Sequence, residues 1–151
     1  MSVNLHATCI RVGRAGRAFG APASAGVLIL GRSGAGKSDL ALRLIALGAK
    51  LVADDRTDLA VLRGRLVASA PRTIAGLFEV RGIGIVKIPH AKAVAVSLVV
   101  ELTRKVPRLP EQQTFAPPTP LRTARPPALI RIDPFEVSAA EKVLLAVREN
   151  S

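Results

Sequence analysis

The sequence predicts an α/β fold built around a phosphate-binding loop, and three observations carry that reading. Gly31-Arg32-Ser33-Gly34-Ala35-Gly36-Lys37-Ser38 is a complete GxxxxGKS motif. A short apolar run of strand character, Ala25 to Leu30, leads into it, and helix-forming sequence follows from Lys37. Beyond that helix, strand-length runs rich in Val, Ile and Leu recur with turn residues between them. In this context the glycines let backbone N–H groups turn inward around phosphate oxygens at the positive end of a helix. Lys37 is placed to neutralise the β- and γ-phosphates, and the Ser38 hydroxyl to hold Mg²⁺. All eight residues are therefore assigned to binding ATP or a related polyphosphate.

The elements follow in order. Val3 to Val12 reads as one strand, and the Gly/Ala/Arg stretch from Gly13 to Ala25 as a mobile loop. The helix from Lys37 to about Leu47 is apolar on nearly every side, which predicts burial, and Gly48 is placed to end it. Leu51 to Ala53 reads as a strand running into Asp54-Asp55. Asp58 to Leu62 and Leu66 to Ser69 flank Arg63-Gly64-Arg65 as a hairpin. Two short apolar stretches broken by Gly82 and Gly84 lie within Gly76 to Pro89, and Val94 to Leu102 reads as a buried strand. Pro107 to Pro127 is the least ordered stretch by composition. A last strand, Ala128 to Ile132, precedes a helix opened by Ser138, with Glu141 completing an S-x-x-E capping box.

Length and composition narrow the classes. A chain of 151 residues fits one catalytic domain over 1–151 with a core of its own. A single cysteine, Cys9, leaves no internal disulfide and fits a reducing compartment. No apolar run approaches the ~20 residues of a membrane span, and the N-terminus has no signal-peptide pattern, so the cytoplasm is expected. The net charge of +11 raises nucleic acid as a partner. The basic residues are spread along the chain, however, without zinc-ligand clusters, a sheet-type RNA signature or stacking aromatics, which argues against that partner. A surface suited to polyphosphates or an acidic protein remains.

Phosphoryl transfer requires a metal ligand, a base near the acceptor and charge to hold the transition state. Asp54 and Asp55 end the strand after the loop helix, at the end of the sheet where open α/β folds bind ligands. Adjacent strand residues point to opposite faces, so the pair is expected to divide its work. Glu79, flanked by Phe78 and Val80, reads from periodicity as exposed on a half-buried strand. His6, among Leu5, Ala7 and Thr8, reads as a core or edge residue. Glu101, at the end of the VAVSLVV strand, is a rival acid for the metal.

GRSGAGKS, LVADDRTDL and GLFEVRGIGIV, with HATC upstream, together resemble the bacterial HPr kinase/phosphorylase family, more narrowly its short alphaproteobacterial form with the catalytic domain alone. The similarity runs from about His6 to Ala146. It implies a P-loop kinase domain with a mixed sheet, like the nucleotide-binding core of phosphoenolpyruvate carboxykinase, and a homo-oligomer, often a hexamer. It implies transfer of phosphate from ATP to a serine of the phosphocarrier HPr or a paralogue, and the reverse reaction with inorganic phosphate. Carried over by motif, Lys37 holds the phosphates, and Ser38 and Glu79 bind Mg²⁺. Asp55 is the acid/base with Asp54 as its partner, an assignment that can be exchanged within the pair, and His6 is the active-site histidine. The alternatives to this reading are a small-molecule kinase of the same fold and a nucleotide-binding sensor without acceptor chemistry.

Overall fold

One long strand organises the molecule. A computed structural model describes residues 1–151, and in it β9 (Ala93–Leu102) is shared by both halves of a nine-stranded mixed sheet. On one edge β9 pairs in parallel with β3 (Gly26–Leu30). β3 in turn pairs antiparallel with β2 (Ala7–Arg11), and β2 with β4 (Lys50–Ala53). Since both flank β2 antiparallel, β3 and β4 run the same way and end on the same side of the sheet. On its other edge the first residues of β9 pair with β6 (Arg65–Ser69), and its last residues pair in parallel with β11 (Ala128–Ile132). β6 continues through β5 (Thr57–Leu62) to β1 (Ser2–Leu5), all antiparallel. β10 (Gln113–Thr114) borders β11. A separate ribbon, β7 (Leu77–Val80) with β8 (Gly84–Lys87), stands off the sheet.

The sheet buries both faces. On one, Val27, Ile29, Leu98 and Val100 pack against α1 (Lys37–Ala46) and α2 (Ala139–Glu149). On the other, Leu28 and Val99 meet Leu59, Leu66 and Ala68 of the β5–β6 half. Within β9, Val94 and Val96 share the second face, yet Leu98 and Val100 lie on the first. The register shift between Gly26 and Val27, which pair with Val96 and Leu98, leaves Ser97 as an extra residue. That bulge reverses the alternation and lets one strand serve two cores. Full burial of Leu98, Val99 and Val100 stabilises the fold by about 1.5–3 kcal/mol per side chain.

Several expectations are corrected. The first strand is two, divided at His6, because β1 pairs with β5 while β2 inserts between β3 and β4. Gly13–Phe19 forms a 3₁₀ segment with Ala15 and Gly16 buried. Small side chains, which read as flexibility, serve close approach here: a Cβ on Gly16 would lie 2.5 Å from the Ala21 carbonyl oxygen. The helix α1 buries only one stripe, Lys37, Leu40, Ala41 and Leu44, and leaves Leu42 exposed. The 107–127 stretch is anchored by β10, by buried Leu121 and Ala124, and by the Arg125 N–H donating to Gly64 O at 2.7 Å. Ser138 does occupy the cap position of α2, but its side chain makes no capping hydrogen bond, so the capping box is not formed.

Candidate active site

The phosphate loop spans the gap between the end of β3 and the start of α1. Gly34 and Gly36 have φ of 80° and 104°, values that a side chain would strain, and this backbone turns the loop around its own N–H groups. Lys37, only 5% exposed, opens α1 and sends its ammonium back across the loop to the carbonyls of Gly31 (2.8 Å) and Arg32 (3.0 Å). Burial lowers its pKa, and Asp55 and then Asp54 oppose that shift. The buried Cys9 thiol is pushed upward by the same desolvation and stays protonated.

Asp54 is buried and fully engaged. Its Oδ1 accepts from Ser38 Oγ (2.7 Å) and Thr8 Oγ1 (3.2 Å), and its Oδ2 accepts the backbone N–H of Glu79 (3.0 Å). One carboxylate thus ties together the end of the loop, β2 and β7. Thr8 completes the arrangement by accepting the Asp55 N–H at 3.1 Å.

Asp55 differs in every respect. Its φ is +65°, and the Arg56 N–H bonds back to the Asp54 carbonyl at 2.7 Å, so Asp55 is the centre of a three-residue γ-turn of the rare positive-φ type. The side chain is 62% exposed, and its Oδ1 lies 2.7 Å from His6 Nε2. The two aspartates do divide inward and outward. The cause is the turn at the strand end, since β4 stops at Ala53, and not strand alternation. Backbone strain of this kind persists only where surrounding contacts hold it, and it gathers at functional sites.

An open cleft of about 900 Å³ lies between the loop and the β7–β8 ribbon, and Asp54 and His6 stand behind its wall and not in it. Ser33, Gly34, Gly36, Lys37, Ser38 and Asp55 line one wall, and Glu79 and Arg81 stand on the other. Glu79 is exposed, as its periodicity predicts, and the surface it is exposed on is this cleft. Gly31, Arg32 and Ala35 of the motif are not part of the wall. Glu101 is held by Arg131 at 3.0 Å and lies outside the cleft. Ser38 Oγ and the Glu79 carboxylate are hard oxygen donors that fit Mg²⁺, which takes one or two protein ligands and completes its shell with phosphate oxygens and water. Sequence reasoning gave no role to Thr8, Arg81, Pro134 or Phe135. Thr8 and Arg81 lie inside the quoted HATC and FEVRG motifs. Pro134 and Phe135 reach the cleft only through tertiary folding.

Comparisons with known proteins bear on the family and the fold. The model of the HPr serine kinase C-terminal domain matches residues 21–113. The chain belongs to that family. Among curated relatives of this HPr serine kinase domain, the HPr kinase/phosphorylase of Clostridium tetani is 50% identical over 64 residues, 42% of this chain and 21% of the relative. That of Clostridium acetobutylicum is 48% identical over 64 residues, with the same shares. The match thus spans about a fifth of the length of the curated relatives. In three dimensions the domain superposes on the Hpr(Ser) kinase/phosphatase from Coxiella burnetii with a TM-score of 0.76, over 97% of this chain and 95% of that one, at 24% identity. The mixed-sheet α/β fold of the HPr serine kinase domain is therefore the fold of this chain. No helix is long and apolar enough to cross a membrane.

Proposed function

We propose that the chain transfers the γ-phosphate of ATP to a serine of the phosphocarrier HPr or a paralogue, and that it also catalyses the reverse attack by inorganic phosphate, which releases pyrophosphate. The observation that carries this reading is the outward carboxylate of Asp55, held by a strained turn and by His6 beside the phosphate loop. A nucleotide sensor has no use for such a group. A serine hydroxyl is a weak nucleophile, and a carboxylate in contact with it orients the attack and takes its proton. In reverse the same carboxyl, protonated, returns the proton to the serine oxygen as the phosphoserine bond breaks.

The remaining roles follow from position. Lys37 and the loop N–H groups hold the phosphates. Ser38 and Glu79 would hold Mg²⁺, which supplies neutralisation of the charge shared between the β- and γ-phosphates. Asp54 positions the Ser38 hydroxyl and the Glu79 backbone by two of its hydrogen bonds, and the third, from Thr8, steadies the carboxylate. His6 fixes the rotamer of Asp55, and Arg81 supplies positive charge on the facing wall. The cytoplasmic location and oligomeric assembly implied by the family resemblance belong to the same proposal.

Intact-mass spectrometry of HPr and its paralogue, incubated with this protein and Mg-ATP and then with excess phosphate, tests it. One added phosphate on serine is expected, followed by its loss with pyrophosphate release. Tight ATP binding without transfer to either carrier would overturn the proposal in favour of a sensor or another acceptor.

A further inference from the structure

The segment that follows β11 crosses the mouth of the phosphate loop. Pro134 rests directly on it, since a Cβ placed on Gly36 would come within 3.3 Å of the Pro134 Cβ. Arg43 of α1 donates to the carbonyl of Pro134 and, at 3.3 Å, to that of Glu136. The Phe135 N–H donates to Asp133 Oδ1 at 2.9 Å. The backbone on both sides of Phe135 is thereby fixed, yet its side chain is left 64% exposed in the cleft wall, beside the loop. The other three phenylalanines behave differently: Phe78 is buried, and Phe19 and Phe115 are half-buried against the two cores. Over the Phe135 ring lies the Arg104 guanidinium, 4.8 Å from the centroid, which holds the ring's orientation.

We propose that Phe135 is the stacking platform for the base of the bound nucleotide. This rests on the reading that the cleft binds a nucleoside triphosphate. The loop accounts for the phosphates, but nothing in it recognises a base. A fixed, solvent-facing aromatic ring beside the loop supplies what is lacking. Water wets such a ring poorly, and a base covering it gains apolar contact and offset stacking. Stacking uses the face of the base and not its edge, so adenine and guanine nucleotides are held alike.

The test is calorimetric titration of wild-type protein, Phe135→Ala and Phe135→Tyr with Mg-ATP, Mg-GTP and inorganic tripolyphosphate with Mg²⁺. Phe135→Ala is expected to weaken ATP and GTP alike by roughly ten- to a hundredfold, the usual worth of one stacked base. Tripolyphosphate affinity should stay within about twofold, and Phe135→Tyr should restore nucleotide binding. Equal losses for nucleotide and tripolyphosphate would overturn the proposal, because the residue would then merely support the loop. Unchanged ATP affinity in Phe135→Ala would overturn it too. A wild-type protein that binds tripolyphosphate as tightly as ATP would leave the base without a site and refute stacking while the phosphate site stands. Binding of neither ligand would refute the nucleotide reading itself, and stacking with it.

Discussion

At the scale of single residues, Asp54 and Asp55 set stability against activity. The positive φ of Asp55 costs on the order of 1–3 kcal/mol for a residue with a side chain, while its exposed contact with His6 returns little. Asp55→Gly is therefore expected to raise the melting temperature by roughly 2–4 °C and to abolish phosphotransfer, which thermal melts and a transfer assay would record together. Asp55→Asn should keep ATP affinity within about threefold and lower transfer by roughly 10²–10⁴-fold; a variant that still transfers at the wild-type rate would remove Asp55 from the chemistry. Lys37 adds a pH dependence. Its pKa is lowered in the free protein, chiefly by burial, and bound phosphates raise it again. Binding thus takes up a proton, and affinity falls as pH rises through the lowered value. ATP titrations across alkaline pH should show that fall earlier than an ordinary lysine would give, and Lys37→Met should flatten it.

At the scale of elements, legibility followed contiguity. The phosphate loop, β11 and the β5–β6 hairpin were readable because motif, alternation and turn chemistry sit side by side in the chain. The turn at Arg63-Gly64 has φ of 52° and 76°, the positive pair of a two-residue hairpin that prefers Asn-Gly. Arg63→Asn should accordingly stabilise the protein by about 0.5–1 kcal/mol, measurable as a shift in the urea midpoint without a change in slope. What escaped depends on contacts made far away. His6 reads as a core or edge residue by its neighbours alone because its partner, Asp55, lies 49 positions on. The stretch 107–127 looked loose because Pro, Thr and Gln dominate it, while Leu121 and Ala124, which pin it, are isolated apolar residues without period. Glu79 was legible as exposed, but periodicity could not say that it faces a cleft.

At the scale of the whole molecule, charge and topology matter most. With a net +11 on 151 residues, self-repulsion opposes the compact state. Raising NaCl from roughly 0.05 to 0.5 M shortens the Debye length from about 14 to 4 Å. The melting temperature should rise with that screening; a fall would mean that ion pairs such as Glu101–Arg131 outweigh the repulsion. The mixed sheet itself was expected from family resemblance and not from patterning, since β2 between two parallel-running strands leaves no local trace in the sequence.

Arg43 grips the backbone of Pro134 across 91 positions of chain, and that span bears on how the protein is made. The loop motif emerges from the ribosome early, but the wall that covers it arrives roughly a hundred residues later, some 5–20 s at ordinary elongation speed. A nascent chain in that interval carries a phosphate loop with no base platform and an exposed helix stripe. Such a chain is therefore expected to hold ATP more weakly than the finished domain, and nucleotide can steady the fold fully only once the last strand and helix have appeared.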